Sequence, residues 1–249
     1  MNKNKILKYW NSRASKKFLK CTNDKNLESF ETDYFLSVIK KKSTVLDIGC
    51  GEGQLLKKLQ NKKNCNCYGI DFSPNLIKIA KKKTKNVSFY CLDMTKINKE
   101  FFSDVKFDYI ITKRSIQNLT SWTEQKKFIN QLKYFSSTKT KILLMESSND
   151  GLKNINKIRK KLKLKKIIKP WHNLYFDDVK IKSTKFSGIK LLNIKELFST
   201  YYFISRVLNA AISKKPSYND LLNLIGWKLP QELIKNFSQL RLYEFKFKN

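Results

Sequence analysis

The segment Val45-Leu46-Asp47-Ile48-Gly49-Cys50-Gly51-Glu52-Gly53 constrains this chain more than any other. An apolar run over 44–48 reads as a buried strand, and three glycines at alternate positions stop it. Glycine lets the backbone turn sharply and approach a ligand without a Cβ in the way. Residues 54–60 then have helical character, so the segment is strand, tight turn, helix. Such an element suits nucleotide cofactors in general, and two details narrow it. The spacing is GxGxG, not the GxGxxG of dinucleotide sites. Asp47 also stands two residues before the first glycine. A carboxylate there repels a pyrophosphate and suits a ligand that carries an ammonium group.

The rhythm of strand and helix continues. Strands are expected over 67–70, 87–91, 107–111 and 141–145, with helices over 75–83 and 123–135 between them. Ser73-Pro74 reads as N-cap and first helical residue. Repeated units of this kind imply an α/β fold, a parallel sheet with helices on both faces. Ligands on such sheets sit outside the carboxyl ends of the strands. Two amphipathic helices, over 3–20 and 27–40, precede the first strand. After Glu146 the rhythm breaks: 147–185 holds a basic helix over 152–164 and a polar-aromatic loop over 170–178. That is too long for an ordinary connection, and long loops are often functional. Strands over 189–194 and 240–247 and a helix over 198–212 complete the chain, with Pro216 and Pro230 bracketing a short helix.

Two further acids fall at successive strand ends. Asp71 closes the second strand, where a carboxylate accepts both hydroxyls of a ribose; Asp93 follows the third, where it accepts from an adenine amino group. Met94 offers a backbone N–H to the same ring, and Phe72 offers a flat face to pack on it. One acidic loop is commonplace; three in order are specific.

In these segments the chain resembles the class I S-adenosylmethionine-dependent methyltransferases, over about Leu7 to Glu146. The resemblance implies a Rossmann-like, seven-stranded, mostly parallel sheet with an antiparallel last strand, here 240–247, and a helical insertion after strand five. It implies one methyltransferase domain over 1–249, with 1–40 as a helical lid and 147–185 as a substrate-side insertion. It implies cofactor contacts for Gly49, Gly51, Asp71 and Asp93, with S-adenosylhomocysteine as product. Tyr9, Trp10 and Arg13 fall where small-molecule members use an N-terminal helix as a lid, and Arg13 is placed to meet the cofactor carboxylate.

Methyl transfer needs positioning above all, and a base only when the acceptor loses a proton as it attacks. The acceptor candidates follow strands four and five. Thr112 opens the segment after strand four as a further cofactor contact, followed by Arg114, Gln117 and Asn118. The Asn-Pro-Pro-Tyr type motif of exocyclic-amine nucleic-acid methyltransferases is absent there. His172 is the only histidine, and its ordinary pKa suits proton transfer near neutrality. Glu146 and Tyr175 are the other catalytic candidates, with Arg114. Asn173, Arg159, Tyr202 and Arg206 are substrate candidates, with Arg114 and Arg159 as clamps for an anion. Glu146-Ser147-Ser148, 154–159 and 171–175 resemble methyltransferases that modify sugars or small metabolites of bacterial surface polysaccharides, including capsule phosphoramidate-modifying enzymes. No metal cluster, paired glycosidase carboxylates or serine nucleophile elbow is present in the sequence.

A formal charge of +32 invites a nucleic-acid partner, and an RNA methyltransferase is the second reading; a non-catalytic binder of the cofactor is the third. Only Arg13, Arg114, Arg159, Arg206 and Arg241 are arginines, however, and the rest is lysine spread along the chain with abundant Asn and Ile. That is the composition an AT-rich genome writes, and base readout favours arginine. A small anionic substrate is therefore preferred. No apolar run approaches the roughly 20 residues of a membrane span, and the basic N-terminus lacks a secretory signal, so a cytoplasmic protein is expected. Cys21, Cys50, Cys65, Cys67 and Cys91 form no CxxC pair and are expected to be buried or inert thiols, with Cys65 and Cys67 on opposite faces of the sheet.

Overall fold

Apolar runs that lack a helical period form the strands of the computed structural model, which describes residues 2–15, 24–102, 104–218 and 220–248. They are β1 (Thr44–Ile48), β2 (Asn66–Asp71), β3 (Val87–Cys91), β4 (Tyr109–Lys113), β5 (Lys141–Ser147), β6 (Ile189–Glu196) and β7 (Leu240–Phe247). They pair in the order β3-β2-β1-β4-β5-β7-β6, with β7 antiparallel to both its neighbours. This is the Rossmann-like arrangement that the resemblance implied. Alternate residues serve opposite faces. Val45 and Cys67 enter one buried cluster, while Leu46, Ile48 and Ile70 enter the other.

The helices are α1 (Lys3–Ser15), α2 (Lys25–Val38), α3 (Gln54–Lys63), α4 (Pro74–Lys83), α5 (Trp122–Gln131), α6 (Asn149–Lys161) and α7 (Asp178–Ser183). α8 (Ser199–Phe203) runs through a π-helical turn, Ile204–Leu208, into α9 (Asn209–Ile212), and α10 (Leu221–Lys228) packs Gly226 against Ile204 of that turn. Ser73 caps α4 as expected, its Oγ accepting from the Leu76 amide, with Pro74 at the first position. No described helix is long and apolar enough to cross a membrane.

Several boundaries differ from the sequence expectation. β4 begins two residues late, because Asp108 turns aside to accept the Thr44 amide at 2.8 Å and so fixes the start of β1. β5 runs on to Ser147, since antiparallel pairing carries Glu146 opposite Arg241 and Ser147 opposite Leu240. α6 starts three residues early, because Ser148 caps it by accepting from the Asp150 and Gly151 amides. The stretch of the first helix beyond Ser15, with Phe18 and Cys21, lies outside the described residues.

The cysteine expectation needs correction. Cys65 and Cys67 belong to the same buried cluster, as side chains two apart along extended chain must share a face. Cys91 is exposed and Cys50 only partly buried, so among the described cysteines burial holds for Cys65 and Cys67.

Candidate active site

A cavity of about 390 Å³ opens at the carboxyl ends of β1, β2 and β4, with Asp47, Gly49, Gly51, Asp71 and Arg114 on its wall. All three glycines of the first turn have positive φ. Their surroundings separate their roles. A Cβ on Gly49 would lie 2.2 Å from that of Ser115, so this position lets the loop after β4 approach β1. A Cβ on Gly51 would meet nothing within 4 Å, so this glycine leaves room on the cavity side.

The three acids sit around that turn in different states. Asp47 is buried and its Oδ1 has no hydrogen-bond partner among the described residues. Burial pushes its carboxyl up to about 7, against the pull of Lys113 and with the push of Asp71. Asp71 is held rigidly: Oδ2 accepts from the Gly51 amide at 3.0 Å and Oδ1 from the Ser73 amide at 2.9 Å. Burial raises it to about 6, although both amides favour the ionised form. Asp93 behaves oppositely. Burial pushes it up, but the Lys3 ammonium and the amide and hydroxyl of Thr95 outweigh that and bring it below the ordinary range. Phe72 and Met94 line the same end of the cavity.

The loop after β4 hangs on Glu146. This carboxylate is fully buried; Oε1 accepts from Thr112 Oγ1 and from the Ser115 and Ile116 amides, and Oε2 from the Gln117 amide. Burial raises its pKa to about 7 against those donors. Glu146 and Thr112 therefore face each other behind the cavity wall and do not line it. Both side chains thus stand away from the positions where a substrate contact for Glu146 and a cofactor contact for Thr112 were expected. What Glu146 holds is backbone, and the loop it holds presents Arg114, Gln117 and Asn118 to the cavity.

Two segments far apart in sequence meet above this loop. α1 brings Tyr9 and Trp10 to the cavity, and 170–175 brings His172, Asn173 and Tyr175. The Tyr9 and His172 rings lie 4.4 Å apart, and Trp10 Nε1 donates to Asn118 Oδ1 at 3.2 Å. Arg13 donates to the Tyr9 hydroxyl and is not part of the wall. His172 is 6% exposed, and burial followed by the charge of Arg13 lowers its pKa, so the imidazole is neutral near pH 7. Its Nδ1, Gln117 Oε1 and Asn173 Oδ1 are buried without hydrogen-bond partners among the described residues. Burial raises the Tyr175 phenol, which accepts from Gln239 Nε2 at 2.8 Å.

At the other end Tyr202 and Arg206, one helical turn apart, come together as their spacing predicts, with the guanidinium 5.4 Å from the ring. Arg206 also lies 4.4 Å over Tyr218 and pairs with Asp24 at 2.8 Å. Arg114 is anchored in the same manner by the buried Glu31, at 3.0 Å. Arg159 is not in the wall: it donates to the carbonyls of Lys165 and Arg206. Its guanidinium is thus engaged by backbone, away from where an anion clamp was expected.

Glu31, Asp24, Lys113, Tyr218 and Gln239 were missed from sequence. For Glu31 a signal existed. Leu27, Glu31 and Phe35 recur at intervals of four on α2 and share its buried face. An acid on an apolar stripe asks for a buried cation. Gln239 and Tyr218 carry no such mark.

Residues 39–221 match the family model described as a methyltransferase domain. A carboxy-S-adenosyl-L-methionine synthase of Yersinia pseudotuberculosis is 30% identical over 128 residues, covering 48% of this chain and 53% of that protein. The demethylmenaquinone methyltransferase of Staphylococcus carnosus is 29% identical over 38% of this chain and 40% of its own. The chain thus spans about half the length, or less, of these curated relatives. Among solved structures, a SAM-dependent methyltransferase from Anabaena variabilis superposes with a TM-score of 0.65 at 16% identity, covering 100% of this chain and 96% of that one. At that identity the likeness is one of fold.

Proposed function

The chain belongs to the methyltransferase-domain family, and from that premise we propose that it transfers the methyl group of S-adenosylmethionine to oxygen or nitrogen of a small anionic metabolite. The residues present fit the cofactor. Asp47 keeps a buried carboxylate oxygen without a partner, as an ammonium requires; Gly51 leaves open space; and Asp71 is held with its carboxylate at the turn. Asp71 would hold the ribose, Asp93 and Met94 the adenine edge, and Phe72 its face. Bound there, the cofactor supplies an electrophilic methyl group on sulfur.

One observation carries the choice of acceptor. Arg114 and Arg206 line the same cavity, each tied to a buried carboxylate, with α1 and 167–175 lining it from above. Fixed guanidinium groups suit a carboxylate or phosphate, and a cavity of this size suits a small molecule. A site lined from above disfavours RNA. His172, neutral and with Nδ1 unpaired, is the base for an acceptor hydroxyl, with Gln117, Asn173 and Tyr175 orienting it. A sugar, nucleotide or phosphoramidate precursor of surface polysaccharide is the narrower reading, and its support is the sequence resemblance in 146–175.

Calorimetry tests the first half: both S-adenosylmethionine and its demethylated product should bind, and Asp71→Ala should weaken each by about 1–3 kcal/mol, the worth of hydrogen bonds to a charged group. Absence of binding sinks the proposal. Transfer of label from the cofactor into a small-anion fraction, and not into RNA, tests the second half.

A further inference from the structure

The lysines that follow β5 have no part in the proposed reaction. Between Asp150 and Asp177 the sequence contains no acid. Lys160, Lys161, Lys163, Lys165, Lys166 and Lys169 are all exposed. Apolar side chains stand among them: Leu162 is 48% exposed, Trp171 49% and Ile168 82%. Water-facing aliphatic groups within a lysine cluster call for an explanation.

α10, linked to this stretch through the π-helical turn, exposes a second apolar set. Leu221, Leu224 and Ile225, at spacings of three and four, are exposed on one side of that helix. α10 packs on the π-helical turn, and the carbonyl of Arg206 in that turn accepts from Arg159 of α6. Both parts border the cavity: Ile168 and Pro170 line it from one, Tyr218 from just ahead of the other.

We propose that this face docks the protein on an anionic lipid bilayer, with the cavity mouth toward the membrane. Lysines near an anionic leaflet are each worth about 1 kcal/mol of attraction. Leucine and isoleucine tips gain by entering the headgroup and acyl boundary, where a tryptophan also prefers to lie. A second copy of this chain is a poor occupant, since each carries a formal charge of +32. Nucleic acid suits the lysines but not the tips: readers and stacking platforms use arginine and aromatic rings, and the stretch offers one arginine and leads with Ile168 and Leu162.

Flotation of the full chain with vesicles tests this independently of any reaction. Vesicles of phosphatidylcholine with about one third phosphatidylglycerol should carry the protein at low salt and release it as salt rises. Phosphatidylcholine alone should not carry it. Lys163→Gln with Lys166→Gln should lower partitioning about fivefold per lysine removed, and Leu162→Glu should lower it as well. Neither variant touches the cavity wall, so melting temperature and calorimetry with S-adenosylmethionine should stay unchanged and report a folded protein. Absence of flotation, equal flotation with both lipids, or capture by an RNA oligonucleotide in place of vesicles would each overturn the proposal.

Discussion

The two ends of the cavity are built differently. The end formed by Asp47, Gly51, Asp71 and Asp93 comes from consecutive strand ends, and its key contacts are local. Asp71 reaches Ser73 two residues on and Gly51 twenty back. The end formed by Tyr9, Arg114, His172, Tyr202 and Arg206 draws on four separate segments, joined by contacts such as Arg206 to Asp24, 182 residues apart. A local site must be present once its strands are in register. A composite site depends on every long-range tie, so substitutions should divide cleanly between the two ends.

The largest effect is expected at the composite end. Replacing His172 by Ala should cut turnover by about 10²–10⁴, the usual worth of a positioned base, and leave cofactor affinity unchanged. Single-turnover kinetics beside calorimetry separates the two. Near-normal turnover would remove His172 from the chemistry; lost cofactor affinity would show that the ends are not separable.

Next comes the tie that shapes the acceptor loop. Glu146→Ala strands the amides of Ser115, Ile116 and Gln117, all buried, together with the Thr112 hydroxyl. With each orphaned group costing about 1–3 kcal/mol, a loss of about 3 kcal/mol or more is expected, read as a melting temperature lower by roughly 10 °C. An unchanged midpoint would mean that the loop does not hang on this carboxylate.

This difference also explains what the sequence could tell. The glycines and the three acids are legible because strand, turn and carboxylate lie within a few residues of each other. Seven strands follow from the same alternation. Glu146 was visible as an acid at a strand end, but its role was not: whether it faces the cavity or the backbone depends on the course of the loop after β4. Arg159 and Arg206 look alike in sequence, yet only Arg206 reaches the cavity, because the path of 162–169 draws Arg159 to backbone carbonyls. Tyr218 and Gln239 enter the wall only through the packing of helices and the antiparallel β7, which no local pattern encodes.

A smaller effect should appear at the local end as a pH dependence. Asp47 titrates near 7 in the free protein because it is buried. An ammonium beside it would favour the ionised form and lower that pKa. Binding then releases a proton below pH 7, so cofactor affinity should fall on acidification from about 7, by up to tenfold per pH unit. Above that pH it should be flat. Asp47→Asn should remove the part of the slope that begins near 7 and leave only the part below about 6 that Asp71 contributes; calorimetry in buffers of different ionisation enthalpy counts the protons directly.

The smallest effect tests a tie that crosses between the ends. Lys3, on α1, pairs with Asp93 and donates to Thr95 Oγ1 at 2.9 Å. Its side chain is 40% exposed, and pairs that water reaches are worth no more than about 1 kcal/mol. Lys3→Ala should therefore change cofactor affinity by less than about fivefold in either direction. Losing the pair loosens α1, while freeing Asp93 makes its oxygens available to an amino group, and the two consequences oppose each other. The sign of the change shows which wins. A tighter complex would mean that the lysine competes with the cofactor for Asp93; a weaker one would mean that α1 closes over a bound cofactor through this pair.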